Sequence, residues 1–223
     1  MTGVAPDGRV LRLALVSIAA GVGTAMVCAI WKLGWLPPTL VNPLIVVAFI
    51  GAAVRLRDSA LVALCWAGAG AALLELLIAD PSFVSRDILV YESGGPFVVD
   101  SPLYMPISWV YIVVQMGVLS LWMVGRWGLA RASLVMAVVG AVNGPGYEWM
   151  AQYADWWIYQ KCWLIGGVPV FVIASEGAIG AGLPLTATQV IRRPPWLAFA
   201  IGAGLGVFMW AAAQVAFALV GQA

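Results

Sequence analysis

Three glutamates lie within long apolar stretches, where an ionisable side chain is costly. Glu75 occurs in AALLELLIAD, Glu148 in NGPGYEWM and Glu176 in VIASEGAIG. An acidic side chain at the centre of a bilayer costs about 2.5–3.5 kcal/mol on insertion scales. Burial without a counter-charge favours the protonated form of a carboxyl group. We therefore expect three carboxylic acids able to donate a proton. The alternative is that they form hydrogen bonds that hold neighbouring helices together.

Polar side chains recur at helical spacing near these acids. One helix face is predicted to carry Tyr104, Ser108, Tyr111 and Gln115, with Trp109 beside it. A second face is predicted from the i, i+4, i+7 spacing of Glu148, Gln152 and Asp155, because residues at this spacing are neighbours on a helix. Asp155 fits equally a site acid or a residue at the aqueous interface. A polar stripe on a helix in lipid points to the bundle interior or a cavity, and ordinary helix packing is the alternative.

Aromatic residues are dense in the same segments. The candidate walls of a cavity are Trp66, Trp109, Tyr111, Tyr147, Trp149, Tyr153, Trp156 and Trp157. An indole face attracts cations through its quadrupole. An acid that protonates an alkene or an epoxide, facing aromatic walls that stabilise a carbocation, is what proton-initiated terpene cyclisation needs. Such a site should also exclude water, which would quench the cation.

The composition predicts the elements that must position these residues. The chain has 223 residues, of which 63% are hydrophobic and 9% charged, whereas soluble domains are about 45–50% apolar and about 25% charged. Spans in lipid must be helices or closed barrels, and the runs here are apolar on all sides, unlike barrel strands. We predict a single all-α domain over residues 1–223, a seven-helix transmembrane bundle. The predicted spans are 11–33, 39–56, 59–79, 104–125, 129–150, 167–190 and 196–219.

The basic residues predict the orientation of the bundle. With seven spans, one side receives Arg9, Arg12, Arg55, Arg57, Arg126, Arg131, Arg192 and Arg193, and the other receives Lys32, Arg86 and Lys161. Cytoplasmic loops carry the Lys/Arg excess, so the N-terminus is predicted in the cytoplasm and the C-terminus outside. The three glutamates then lie in the outer half of the bilayer. Residues 80–103 are predicted to form a long outer loop, typical of a functional lid or of a disordered segment. Residues 143–146 (Asn-Gly-Pro-Gly) are predicted to break or kink their helix.

Several classes of protein are excluded by residue types. The chain has no histidine, which removes His-based catalysis and His metal sites. The three cysteines are isolated and the net charge is +1, which disfavours thiolate metal sites and nucleic-acid partners. We expect no cofactor and no metal, with the bilayer and a hydrophobic isoprenoid-containing molecule as partners. The protein would be a multi-pass membrane protein, in the plasma membrane if the source is bacterial; the oligomeric state stays open.

The chain resembles the small seven-helix integral membrane terpene cyclases of meroterpenoid and indole-terpenoid pathways. The resemblance rests on size, span count, a glutamate within a span (LCWAGAGAALLELL around Glu75) and the twelve tryptophans. The Asn-x-x-Trp-Glu element of fungal members is absent, and the last span has no acid, so Glu148 or Glu176 would supply the second acid. The family implies protonation of a terminal epoxide or alkene of a farnesyl or geranylgeranyl group without a metal.

Other functions remain as alternatives. Acids that face a cavity also serve proton-coupled transporters or channels, but the sequence shows no internal repeat of the kind many transporters have. A structural or assembly subunit would place the three glutamates against partner helices rather than in a pocket. A lycopene-type cyclase, also acid-dependent, stays open as a related enzyme.

Overall fold

The computed structural model describes residues 5–92 and 94–222, and within them seven helices are long and apolar enough to cross a membrane. The helices are α1 Gly8–Trp31, α2 Leu36–Leu56, α3 Ser59–Leu74, the short α4 Asp80–Val84, α5 Tyr104–Trp127, α6 Leu129–Tyr153, α7 Val170–Val190 and α8 Pro195–Ala216. Helix α3 runs through a π-helical turn into α4, and α8 ends in a second π-helical turn, Phe217–Gly221. The prediction of seven helical spans is confirmed, with each boundary within five residues of its predicted position.

A π-helical turn, Glu75–Ala79, carries the third span past its predicted end. The backbone N–H of Asp80 donates to the carbonyl oxygen of Glu75, the i→i+5 bond of a π-helix, which occurs frequently at functional sites. The helix then continues to Val84. Asp80 is therefore the buried first residue of a short helix and not, as predicted from the sequence, the start of the long outer loop.

Glycines bring α6 and α7 into close contact. A Cβ atom at Gly140 would lie 2.2 Å from the carbonyl oxygen of Glu176, and one at Gly180 would lie 2.2 Å from that of Met136. Residues 143–146 do not break the helix, since α6 is helical from Leu129 to Tyr153, and the alternative of a kink there stays a prediction. Pro145 removes only one backbone donor, and in lipid neighbouring helices support a helix at such positions. Here α7 provides that support.

A buried apolar cluster fills the arginine-rich end of the bundle, which is the end that carries Arg9, Arg55, Arg126 and Arg192. Its buried members include Val10, Ile45, Phe49, Ala53, Leu61, Leu64, Val118, Leu121, Val190 and Ala198. Every long helix except α6 contributes at least one residue to it. This packing closes the bundle on the arginine-rich side.

A cap of short strands covers the opposite end. Strand β1 Leu89–Tyr91 pairs antiparallel with β4 Trp157–Tyr159. The two small hairpins pair β2 Phe97–Val98 with β3 Ser101–Pro102, and β5 Leu164–Ile165 with β6 Val168–Pro169. The long segment after the third span is thus folded over the bundle, and it is held there by the segment that follows α6.

The cap reveals an internal repeat. The order helix, three-residue strand, two-stranded hairpin and helix occurs from α3 to α5 and again from α6 to α7. The two strands pair about a centre at Val90 and Ile158, with Leu89 opposite Tyr159 and Tyr91 opposite Trp157, as two copies related by a two-fold axis would do. The matching strands also have the same pattern of burial. The interpretation that the chain lacks a repeat is therefore wrong, because the two copies share architecture rather than sequence.

Candidate functional site

Two adjoining cavities lie in the half of the bundle beneath the cap. Their volumes are about 140 Å³ and about 110 Å³. The residues common to both are Met105, Trp109, Glu148, Trp157, Glu176, Ile179 and Met209. Because one set of side chains forms part of both walls, the cavities are treated together as the candidate site.

The smaller cavity brings four carboxyl groups together. Glu75, Asp80, Glu148 and Glu176 all line it, coming from the π-helical turn, α4, α6 and α7. Glu148 and Glu176 also face the larger cavity. Among the described residues, no lysine or arginine lines either cavity. The three glutamates singled out in the sequence thus meet in one place without a counter-charge, and Asp80 joins them.

Glu148 is held by the cap. The indole Nε1 of Trp157 donates to Glu148 Oε2 at 2.6 Å, and the phenol of Tyr159 lies within hydrogen-bonding reach of the same carboxyl group. Burial, and after it the nearby Glu148, raises the pKa of Tyr159 well above its ordinary value. The phenol therefore stays a proton-bearing donor, and the strand that carries both residues positions the acid.

Asp80 has a matching environment on the other strand of the cap. The hydroxyl groups of Tyr91 and Ser101 both donate to Asp80 Oδ2. Burial, and after it the neighbouring Asp80, raises the pKa of Tyr91, so its hydroxyl also remains a donor. Asp80 is not among the site residues predicted from the sequence. Its position at the end of the same apolar run as Glu75, immediately before Pro81, was the signal that could have identified it.

Glu75 is the most deeply buried of the three glutamates, with 4% of its surface exposed. It lies within hydrogen-bonding reach of Asp80 and of the Trp109 indole. Its Oε2 atom has no hydrogen-bond partner among the described residues. One oxygen of Glu75 is therefore available in the smaller cavity.

Glu176 faces the cavities without a hydrogen-bond partner in the described part of the chain. A Cβ atom at Gly144 would lie 2.7 Å from Glu176 Cγ, so the glycine provides the space that the side chain occupies. The close packing of α6 on α7 thus fixes the base of this side chain. Its carboxyl group remains open to a ligand.

The larger cavity is mostly apolar. Its lining includes Met116, Met136, Ile112, Val113, Leu183 and Leu205. Of the predicted stripe on α5, Ser108, Tyr111 and Gln115 line this cavity, as do Trp109 and the predicted aromatic Tyr147 on α6. Gln115 is already engaged, since its Nε2 donates to Ser17 Oγ at 3.0 Å. The Gln115 amide is therefore held in place by the protein.

Some predicted wall residues lie elsewhere. Trp66 is 46% exposed and packs edge-on against Phe199, because nine residues separate it from Glu75, which places it on the opposite face of the helix. Trp149 and Tyr153 are about half exposed and pack on each other with ring centroids 4.6 Å apart. These aromatic residues face outward and line neither cavity.

Two predicted aromatic residues lie behind the cavity wall. Trp156 is buried and donates its indole N–H to the carbonyl oxygen of Gly34 at 2.6 Å. Tyr104 packs on it with ring centroids 5.9 Å apart. Trp156 also contacts Tyr147 and Trp157. Both predicted residues therefore support the lining without contributing to it.

The predicted alignment of Glu148, Gln152 and Asp155 does not form. Helix α6 ends at Tyr153, and Asp155 has a left-handed backbone (φ 57°), so helical spacing no longer applies to it. The Asp155 carboxylate lies 3.7 Å from Lys32 Nζ at the surface. Gln152 packs against Gly167 in the β5–β6 hairpin. Asp155 and Gln152 therefore lie outside both cavities.

The arrangement is suited to proton chemistry on an apolar ligand. Carboxyl groups lie at one end, indole and phenol rings lie among them, and methionine and aliphatic side chains form the rest of the walls. Carboxylic acids can serve as general acids or bases when they lie within reach of the reacting atom. Aromatic faces can stabilise positive charge that develops beside them.

Comparison with known proteins gives a family without an assigned activity. No curated protein and no solved structure matches the chain. The matching family model begins two residues after Glu75 and includes Asp80, Glu148 and Glu176. Since this model, described as "Domain of unknown function (DUF6989)", covers residues 77–220 and thus more than half of the chain, the protein belongs to that family.

Proposed function

We propose that the protein is a membrane-embedded terpene cyclase that starts cyclisation by protonating an alkene or a terminal epoxide of a prenylated substrate, without a metal. Ring closure would proceed through a carbocation beside aromatic side chains. The observation that carries this proposal is the Glu176 carboxyl group, which lies in the cavity with no hydrogen-bond partner among the described residues. This half-buried carboxyl group is therefore available to contact a substrate in the cavity.

The walls of the site support the same chemistry. Trp109 and Trp157 line both cavities and therefore lie beside Glu148 and Glu176. A cation next to an indole face gains about 0.5–2 kcal/mol, with the higher value where water is excluded. Each cavity is smaller than the roughly 300–1,000 Å³ typical of ligand pockets. Binding of a prenyl chain would therefore require the side chains that line the cavities to move apart.

We also propose how the protein is oriented in the membrane and in which membrane it lies. Eight of the eleven basic residues belong to the segments at the arginine-rich end, which supports a cytoplasmic N-terminus and an outer C-terminus. The carboxyl groups and the cap would then lie toward the outer face. In a bacterium the plasma membrane would be the location.

The test is to incubate membranes containing the protein with a farnesylated aromatic compound and with its terminal epoxide. The expected product is an isomer of equal mass with fewer double bonds or without the epoxide, measured by chromatography and mass spectrometry. Glu176→Gln keeps the shape of the side chain but cannot donate a carboxylic proton, so turnover should fall at least 100-fold, as expected for loss of a general acid.

The matched control is Asp87→Asn. Asp87 is an exposed acid that pairs with Lys161 on the cap at 3.0 Å and lines neither cavity, so activity should not change. Turnover by the Glu176→Gln and Glu148→Gln variants at the wild-type rate would remove both proposed proton donors and contradict the cyclase function.

A proton-coupled transporter is the second candidate, and the internal repeat favours it, because many transporters are built from repeats. The apolar cluster at the arginine-rich end opposes it, since buried apolar side chains of six long helices pack together in that half of the bundle. Uptake of a solute into proteoliposomes without isomerisation of any prenylated compound would support the transporter. Isomerisation of a prenylated compound without uptake of a solute would support the cyclase.

A further inference from the structure

We infer that Asp80, paired with Glu75, is the base that removes the final proton from the cyclised carbocation, while the donor is at Glu176. This inference rests on the proposed function and assigns a role to two carboxyl groups that the initiating step does not need. Both groups line the smaller cavity. Glu75 is 4% and Asp80 5% exposed, and Glu75 Oε2 has no partner among the described residues.

The internal repeat identifies Asp80 as the counterpart of Glu148. Asp80 accepts a hydrogen bond from Tyr91, eleven residues later in the chain. Glu148 lies within reach of Tyr159, also eleven residues later. Both acids lie near the end of a membrane-spanning helix, and both tyrosines occupy the last position of a paired cap strand. Each repeat therefore contributes one carboxyl–tyrosine pair to the same cavity.

The two pairs have different additional donors. Ser101, the first residue of β3, donates to Asp80, whereas Trp157, the first residue of β4, donates to Glu148. Asp80 Oδ2 thus receives two hydroxyl donors. A hydrogen bond between two carboxyl groups requires that one of them is protonated. Asp80 already accepts hydrogen bonds from Tyr91 and Ser101. We therefore assign the proton of the Asp80–Glu75 pair to Glu75. Asp80 therefore differs from Glu148 in having a second carboxyl group, Glu75, beside it, which can carry a proton while Asp80 acts as the acceptor.

The reaction then balances with one proton in and one proton out. The Glu176 O–H bond breaks as the substrate C–H (or epoxide O–H) bond forms, which leaves the Glu176 carboxylate and a carbocation. After ring closure, Asp80 takes a proton from a carbon next to the cationic centre, and the electron pair of that C–H bond becomes the new double bond. The product is an isomer of the substrate.

Glu148 lies where it can return the proton. It lines both cavities together with Glu176, and its charge interacts with those of Glu176 and Asp80. Passage of one proton from the Asp80–Glu75 pair to Glu176, through Glu148, would restore the starting state without a co-reactant.

The test compares Asp80→Asn with Glu176→Gln on the farnesylated aromatic epoxide in D₂O. Asp80→Asn should still consume substrate, with turnover reduced about tenfold or more, but should form different products: alcohols from capture of the cation by water, or other double-bond isomers. Glu176→Gln should consume no substrate. Asp80→Glu should restore most of the wild-type product, and Glu75→Gln, which can still donate a hydrogen bond, should shift the product ratio less than Asp80→Asn.

Three outcomes distinguish failure of the proposed cyclase function from failure of the role assigned to Asp80. No consumption by the wild-type protein defeats the proposed function itself. Consumption with an unchanged product profile in a folded Asp80→Asn variant overturns the role of Asp80 as base and leaves the cyclase in place. Complete loss of consumption in Asp80→Asn, with thermal stability equal to that of Asp87→Asn, also overturns it, because a terminal base is not needed to initiate the reaction.

Discussion

At the residue scale, the carboxyl groups of the cavity differ in whether protein groups already satisfy them. Glu148 accepts from Trp157 Nε1 at 2.6 Å, and Asp80 accepts from two hydroxyl groups. Glu176 has no partner in the described part of the chain. The Glu176 carboxyl group is therefore available to a ligand. The same difference between the acids should affect the thermal stability of variants.

Replacing these acids with leucine should have opposite effects. Glu176→Leu removes an unpaired carboxyl group and should raise the free energy of unfolding by about 1–3 kcal/mol. Glu148→Leu leaves the buried indole N–H of Trp157 without an acceptor and should lower it by a similar amount. Thermal unfolding in detergent measures both. A destabilised Glu176→Leu variant would mean that the side chain holds the bundle together, as in the structural alternative.

At the element scale, close helix packing and one irregular turn position the site. The π-helical turn at Glu75–Ala79 forms an i→i+5 bond to Asp80, so two acids five residues apart face one cavity. The glycines of α6 let α7 approach until the backbone of Glu176 meets Gly140. Both features place a carboxyl group through backbone geometry rather than through side-chain contacts.

Gly140→Ala should therefore damage both stability and activity. The added Cβ would lie 2.2 Å from the carbonyl oxygen of Glu176, so α7 must shift, at a cost of about 1–3 kcal/mol for overpacking. The shift would also displace Glu176. Thermal unfolding and the cyclisation assay report the two effects.

Gly146→Ala is the matched control on the same helix. A Cβ atom there has nothing within 4 Å, and alanine favours a helix over glycine by about 1 kcal/mol. This variant should be as stable as the wild type or slightly more stable, with full activity. Equal losses in both variants would contradict the assigned contact between α6 and α7.

At the scale of the whole molecule, the two ends of the bundle have different roles. The arginine-rich end is filled by apolar side chains, and the opposite end holds the cavities beneath a cap of paired strands. Surface ion pairs, Lys32 with Asp155 and Lys161 with Asp87, lie at the capped end. Exposed pairs contribute only about 0–1 kcal/mol each, so the cap is held mainly by strand pairing and aromatic packing.

The proposed orientation predicts which segments face the cytoplasm. Reporters of periplasmic export, such as alkaline phosphatase, should be active when fused after residue 165 or at the C-terminus. They should be inactive after residue 57 or residue 127, since eight of the eleven basic residues belong to segments on that side. Activity in the opposite pattern would place the acid cluster in the cytoplasmic half and reverse the proposed side of access.

The sequence by itself determined the number of spans and the acids within them. Long runs that are apolar on all sides predict helices because lipid offers no partners to the backbone, and all seven predicted helices form. Glu75, Glu148 and Glu176 were identifiable because a carboxyl group in an apolar run is costly. Ser108, Tyr111 and Gln115 were identifiable from helical spacing, since α5 is regular over their whole length.

Only the tertiary structure decided which of these side chains meet. Regular helical spacing does not predict side-chain positions where the backbone departs from an α-helix. The π-helical turn directs Asp80 toward the cavity. Helix α6 ends at Tyr153, so Asp155 lies at the surface instead of on the same helix face as Glu148. The spacing of residues along a helix also does not show which helix face packs against a neighbouring helix. Trp66 and Trp149 are therefore predicted in the site from the sequence, although both face outward in the structure. The pairing of β1 with β4, which closes the site and shows the repeat, joins residues 68 positions apart at its centre. Such a contact depends on helix packing rather than on local sequence.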